Sequence, residues 1–159
     1  MKRCMSICCV CAMALGLSFG VSTDAQAAST VKVIDESQLT HDAESTGYSN
    51  KTTRGADLLT GYSKIVRMGP GEIYAGGTTI AAHDVERIGV SVIIEYAKEE
   101  DKEWSFYDSW NKFLSNTDRV ASTKYLDVEG DYYYRVKCIH SAGEDMSSSF
   151  TDGVYIEEP

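Results

Sequence analysis

From about residue 58 onward, the chain is built from short runs in which apolar and polar residues alternate. Alternation with a period of two is typical of β-strands, because successive side chains of a strand point to opposite faces. Five residues share one face of the clearest run, at 88–97: Ile88, Val90, Val92, Ile94 and Tyr96. The pattern predicts seven strands, at residues 62–68, 72–82, 88–97, 104–110, 119–128, 132–141 and 149–157.

The residues between these runs are the ones that turns require. Gly69-Pro70-Gly71 predicts a tight turn, because proline fixes φ and glycine tolerates positive φ. The charged run at 99–103 predicts a hairpin loop, and Gly76-Gly77 predicts either a bulge or a close approach of another backbone. Seven strands with regularly spaced turns predict an all-β fold, a single antiparallel β-sandwich over residues 58–159.

Two of the predicted strands supply the candidate core. Six residues form it: Val90, Val92, Ile94, Tyr134, Val136 and Cys138. Because Arg135 and Lys137 are charged, we expect their face of the strand to meet water and the face from Tyr132 to Cys138 to point inward.

Residues 28–57 show no sustained apolar period and are rich in Ser, Thr, Asp, Glu, Asn and Lys. Such a composition predicts a polar, disordered spacer. A short extra strand at 31–34 is the alternative.

The N-terminus has the pattern of a secretory leader. A basic start, Met1-Lys2-Arg3, precedes 18 uncharged residues and then Ala25-Gln26-Ala27, the small-x-small form that signal peptidase requires. We therefore predict a signal peptide at 1–27 and a secreted, extracellular protein; an uncleaved anchor and a lipoprotein are the alternatives. Four of the five cysteines belong to this leader. The remaining one, Cys138, is expected to be a buried, inert thiol.

Charge and composition exclude several kinds of function. With 15 basic and 24 acidic residues the formal charge is −9, which argues against nucleic acid and, once the leader is removed, against anionic membranes as partners. The three histidines, His41, His83 and His140, lie too far apart in the sequence for a zinc motif, and residues 99–103 lack the alternation of a calcium loop. We therefore expect no metal and no cofactor.

Catalytic patterns are equally sparse. Outside the predicted leader no Gly-x-Ser-x-Gly elbow is present, and Cys138 and His140 are two residues apart on a strand, about 6–7 Å and too far for a hydrogen-bonded dyad. We expect the His140 ring to pack at the edge of the core, bonded to loop backbone. Acidic residues are so numerous that no single pair indicates a glycoside hydrolase. The expectation is that the protein is not an enzyme.

The segment from Leu126 to Val136, with Gly130 in its turn and three tyrosines from Tyr132 to Tyr134, resembles a known structural corner. It resembles the crossover between strands E and F of fibronectin type III and immunoglobulin-like domains, where a tyrosine hydroxyl binds upstream backbone. Residues 140–144 resemble the following F–G loop. The resemblance implies an immunoglobulin- or fibronectin III-like sandwich in which Tyr132 and Tyr134 are structural, with the Tyr132 hydroxyl bonded within 126–130.

Ile88-Gly89-Val90, the hairpin leading to Trp104, and the run from Tyr132 to Val136 followed by His140 resemble a second group. This group is an uncharacterised family of small secreted proteins of Gram-positive bacteria. The resemblance covers about residues 58–156 and implies no activity or site residues.

Surface aromatic residues remain the best candidates for function. Alternation places several on the outside, and three are candidate ligand-binding residues: Trp104, Tyr107 and Trp110. Tyr125, Tyr133 and Tyr155 belong to the same aromatic set, although cross-strand aromatic pairs also simply stabilise a sheet. We expect a non-catalytic extracellular binding or interaction module for a protein partner. The alternatives are a carbohydrate or cell-wall polysaccharide ligand and a small secreted hydrolase.

Overall fold

The computed structural model describes residues 31–49 and 55–159, and this part of the chain is all-β with eleven strands. In chain order they are β1 Val33–Ile34, β2 Ser37–Thr40, β3 Glu44–Tyr48, β4 Leu58–Gly69, β5 Glu72–Val85, β6 Ile88–Ala97, β7 Ser105–Leu114, β8 Thr117–Asp127, β9 Tyr132–Ala142, β10 Asp145–Phe150 and β11 Gly153–Ile156. No helix in the described residues is long and apolar enough to cross a membrane. The predicted signal peptide lies outside the described residues.

The strands form two sheets that pack face to face. The large sheet has the order β1-β2-β11-β9-β6-β7, and β10 also pairs with β9; the small sheet has the order β3-β4-β5-β8. Pairing is antiparallel except between β2 and β11, which run parallel. The connections from β5 to β6, from β7 to β8 and from β8 to β9 each cross between the sheets.

The core between the sheets follows the alternation of the sequence. The six predicted core residues, Val90, Val92, Ile94, Tyr134, Val136 and Cys138, are all buried there, so this prediction is confirmed. Ile65, Ile73 and Ala75 of the small sheet close the core from the other side. Every one of these strands contributes every second residue, as a half-buried strand requires.

Two glycine positions show why this residue is needed. Gly71 has a φ of 69°, which fits the third position of a turn that begins at Gly69 and has Pro70 second, and this confirms the predicted turn between β4 and β5. At Gly76-Gly77 the pairing register runs without a break, so there is no bulge. A side chain at Gly76 would instead collide with the backbone carbonyl of Ser122, which confirms the close approach of another backbone, and one at Gly77 would collide with the sulfur of Cys138.

The strand count differs from the seven predicted. The last predicted strand, at 149–157, is divided into two strands, β10 and β11, because pairing is interrupted at Thr151 and Asp152. Three further strands, β1 to β3, lie within the segment predicted to be a disordered spacer, so that prediction is wrong for residues 33–48. The alternative short strand at 31–34 is present at Val33–Ile34.

The N-terminal segment is ordered because it covers the outer face of the large sheet. Residues 33–40, here called the strap, form the β1–β2 hairpin, which packs Ile34 and Leu39 against Ala97 and Tyr133. Trp104 completes this outer layer and donates its indole N–H to the Ile34 carbonyl at 2.8 Å. The strap therefore continues the large sheet beyond β11 and also covers part of its outer face. The few apolar residues of its own sequence do not indicate this role.

The strap also buries Arg135, which is only 2% exposed, so the expectation that Arg135 faces water is wrong. Its guanidinium donates to Glu95 at 2.7 Å, to the Asp35 carboxylate at 2.8 Å and to the Ser37 hydroxyl at 3.0 Å. The Trp104 ring lies over the guanidinium at 4.7 Å. Hydrogen bonding to Arg135 lowers the pKa of Asp35. The buried charge of Arg135 is tolerated in this layer because the N–H groups of its guanidinium are paired with acceptors.

Strand β7 breaks the predicted alternation. The pairing jumps from Ile94 with Asp108 to Glu95 with Phe106, so Tyr107 is an extra residue in a β-bulge. Phe106 consequently points to solvent, while Tyr107, although still 36% exposed, packs against Tyr134 with ring centroids 5.6 Å apart.

Candidate functional site

The corner between β8 and β9 is built by Tyr134. Its hydroxyl donates to the Glu129 carbonyl at 2.9 Å, and burial raises the pKa of this hydroxyl. The prediction that Tyr132 makes this bond is therefore wrong. Tyr132 and Tyr134 lie two residues apart on the same face, so alternation cannot distinguish them; only the position of the crossover does. Tyr132 instead packs against Tyr96 and under Lys98.

The three candidate ligand-binding aromatics do not form one platform. Trp104 belongs to the outer layer, beneath the strap. Tyr107 and Trp110 reach across to the small sheet, where they donate to the Asp127 carbonyl at 2.9 Å and to the Ser122 hydroxyl at 3.1 Å. Their polar atoms thus join β7, at the edge of the large sheet, to β8, at the edge of the small sheet.

The structure brings a different set of residues together at the end of the molecule beside the corner. Two depressions of about 370 and 580 Å³ adjoin there, because both are lined by Lys98 and Asp131. We call them together the corner groove. The other lining residues are His41, Glu99, Glu100, Tyr133 and Tyr155 in the first depression and Glu129, Gly130, Tyr132, Glu158 and Pro159 in the second.

Hydrogen bonds and ring contacts hold the side chains of the groove in place. Asp131 has a φ of 62°, and its carboxylate accepts a hydrogen bond from the Tyr155 hydroxyl at 2.8 Å. The His41 ring lies 4.7 Å from that of Tyr155, and its Nε2 is 3.2 Å from the Tyr133 hydroxyl. Four segments that are far apart in the chain therefore form one site. The local pattern of each segment does not reveal that they meet.

The corner groove is acidic. Five carboxylates, those of Glu99, Glu100, Glu129, Asp131 and Glu158, face one ammonium, that of Lys98, which leaves a formal charge of −4. Burial and the nearby Glu99 raise the pKa of Tyr133, and the hydrogen bond to Asp131 raises the pKa of Tyr155.

His140 lies in the core rather than at its edge. Its ring is bonded to two buried hydroxyls and not to loop backbone, so that expectation is wrong. Thr79 donates to the Gly89 carbonyl, so it accepts from Nδ1 of His140 at 2.9 Å, and Nε2 accepts from Ser149 at 2.8 Å. Burial lowers the pKa of His140 to about 4, which keeps the ring neutral.

The Ser149–His140 contact has the geometry of a nucleophile and its base, yet it is sealed from solvent. Both residues are at most 1% exposed, and the group beyond the imidazole is a threonine hydroxyl instead of a carboxylate. Burial also raises the pKa of the neighbouring Cys138 thiol to about 12. These polar groups are therefore suited to joining the two sheets rather than to contacting a substrate.

Within residues 31–49 and 55–159, no group of three or more His, Cys, Asp or Glu side chains is arranged to hold a metal ion. No family model matches the chain, and comparisons with curated proteins and with solved structures also find no match.

The sequence contains a partial signal for the corner groove. Tyr133 and Tyr155 belong to the set of aromatic residues from which alternation places several outside, although Tyr133 is only 7% exposed in the structure. His41 is missed because it lies in the segment predicted to be a spacer, and Asp131 is missed because a positive φ at an aspartate is not visible in the sequence.

Proposed function

We propose that this protein is a secreted, non-catalytic extracellular binding module whose corner groove binds a positively charged segment of a protein partner. The observation that carries this proposal is the combination of tyrosine rings with five carboxylates in one open groove. Ammonium and guanidinium groups are attracted both to carboxylates and to the faces of aromatic rings.

The charge of the whole chain supports the same kind of partner. A formal charge of −9 draws basic partners toward the protein, and the groove adds the local complement. The side chains are already positioned, since Asp131 is bonded to Tyr155 and His41 packs between two tyrosines. Less conformational entropy is then lost on binding.

The finer fold assignment is also a proposal: an immunoglobulin- or fibronectin III-like sandwich. Two features support it. The Tyr134 hydroxyl binds backbone at the crossover from β8 to β9, as in the corner of those domains, and successive strands cross between the two sheets. Loops at the end of such a sandwich are free to carry a binding site.

The groove is tested with a fluorescent lysine- and arginine-rich peptide, with a glutamate-rich peptide of equal length for comparison. We expect binding of the basic peptide alone, and binding that weakens as salt rises. Asp131→Asn combined with Glu99→Gln should weaken binding about tenfold, the loss of roughly 1.4 kcal/mol. Glu144→Gln, an exposed carboxylate on the β9–β10 turn, is the matched control.

Equal affinity of the double variant and the parent would contradict the groove as the site. Turnover of a peptide or polysaccharide by the purified protein would contradict the non-catalytic assignment. Secretion is tested separately by intact-mass measurement on culture supernatant, where a chain beginning at Ala28 is expected.

A further inference from the structure

The outer face of the small sheet carries an array of tyrosines that the corner groove does not involve. Strand pairing defines three rows across β3, β4, β5 and β8, which together we call the tyrosine face. The rows are Glu44, Val66, Tyr74 and Tyr125; Thr46, Lys64, Gly76 and Thr123; and Tyr48, Tyr62, Thr78 and Ala121. Tyr48 is 69% exposed and Tyr125 is 64% exposed.

The four rings form two separate pairs. The centroids of Tyr48 and Tyr62 are 6.0 Å apart, and those of Tyr74 and Tyr125 are 5.2 Å apart. Tyr62 lies four residues along β4 from Val66, the residue opposite Tyr74, so the pairs are offset by about 13 Å along the strands. Apart from Lys64, the middle row between them has short side chains, or none, at Thr46, Gly76 and Thr123.

The tyrosine face is electrically neutral, unlike the chain as a whole. Its charged residues are Lys64 and Glu44, and they form an ion pair at 2.8 Å. A neutral, hydroxyl-rich face on a chain of charge −9 complements an uncharged partner better than a basic or an acidic one. It also lacks the cluster of basic residues that nucleic acid requires.

We infer that the tyrosine face binds a neutral polysaccharide chain. A sugar ring offers C–H groups that stack on an aromatic face and hydroxyls that pair with threonine and tyrosine hydroxyls. The two ring pairs then act as two subsites for one polysaccharide chain, which passes over the short side chains of the middle row. A protein partner fits less well, because the energy of protein interfaces concentrates in enclosed pockets, whereas Tyr48 and Tyr125 stand exposed on this face.

The test is affinity electrophoresis of the full mature protein in native gels that contain hydroxyethylcellulose, glucomannan or dextran. At least one of these polysaccharides should retard the protein, and about 0.5 M salt should leave the retardation unchanged because no charges are matched. Tyr48→Ala combined with Tyr125→Ala should weaken the affinity about tenfold or more. Phe106→Ala is the matched control, since Phe106 is 65% exposed on the other sheet; its affinity should stay within about twofold of the parent.

A second variant tests the same face in case the first variant does not fold. Thr123→Lys places a long side chain on the exposed middle row without removing a ring, and it should also weaken retardation. Oligosaccharides too short to span both ring pairs should bind much more weakly than longer ones, because only linked subsites gain avidity. Absence of retardation in all three gels, or retardation unaffected by both variants, overturns the inference. Self-association abolished by these variants, without any polysaccharide binding, overturns it in favour of a protein surface.

Discussion

The two faces of strand β9 bury their residues in different ways. Val136 and Cys138 point into the core, where apolar side chains from both sheets surround them. Tyr133 and Arg135 point to the opposite face and are buried by the strap. The first burial needs only the regular packing of two sheets, whereas the second depends on a segment about 100 residues away in the chain.

The difference shows that alternation predicts which residues share a face but not what covers that face. The core is held by apolar burial, which is not directional. The outer layer has only a small apolar cluster, around Ile34 and Leu39. It depends in addition on directed contacts, which are the hydrogen bonds of Arg135 with Asp35, Glu95 and Ser37 and its contact with the Trp104 ring. We therefore expect the outer layer to open locally while the core stays folded.

The largest effect is expected in the core. Ile94→Ala should lower the free energy of unfolding by about 2–5 kcal/mol, because it removes a side chain with no exposed surface and leaves a cavity. Val136→Ala should cost about 1–3 kcal/mol for the same reason. Ile93→Ala, a half-buried neighbour on the opposite face, is the control and should cost clearly less in urea denaturation.

Acid should lower the stability of the protein through His140, which is buried in the core. The pKa of His140 is lowered to about 4 from 6.5, so the unfolded chain takes up a proton before the folded protein does. Stability should fall as the pH drops from 6.5 to about 4, by about 3 kcal/mol in total. Urea denaturation at several pH values measures this slope. His140→Gln should flatten it over this range, and an equal slope in both proteins would show that His140 is not responsible.

The outer layer is tested by Arg135→Met, which keeps much of the length of the side chain and removes its charge. Since the Asp35 and Glu95 carboxylates retain contact with water, the expected cost is about 1.5–3 kcal/mol, typical of hydrogen bonds to charged groups. Hydrogen exchange should show faster exchange in the strap and unchanged protection in β6. Uniform loss of protection in both regions would mean that the two layers unfold together.

The smallest effect is expected at the corner. Tyr134→Phe retains the ring and loses the bond to the Glu129 carbonyl, which should cost about 0.5–1.5 kcal/mol. Tyr132→Phe is the matched control and should leave the denaturation midpoint almost unchanged. The reverse order of the two effects would assign the corner to Tyr132.

The elements of the sandwich are largely predictable because strands of a half-buried sheet repeat every two residues. Strand β6 has the bounds that the pattern predicts, and the turn at Pro70-Gly71 follows from residue types alone. The bulge at Tyr107 does not follow from residue types, because it depends on the pairing of β7 with β6. The corner groove can be anticipated only through Tyr133 and Tyr155, since its other walls come from distant segments.

By itself, the sequence determined the all-β class, the inward face of β6 and β9, and the acidic balance of the chain, because all three depend on residue type and local spacing. Only the tertiary structure decided that Arg135 is buried, that Tyr134 forms the corner and that His41 meets Tyr155. Each of these depends on how a remote segment packs, and packing between remote segments leaves no local pattern in the chain.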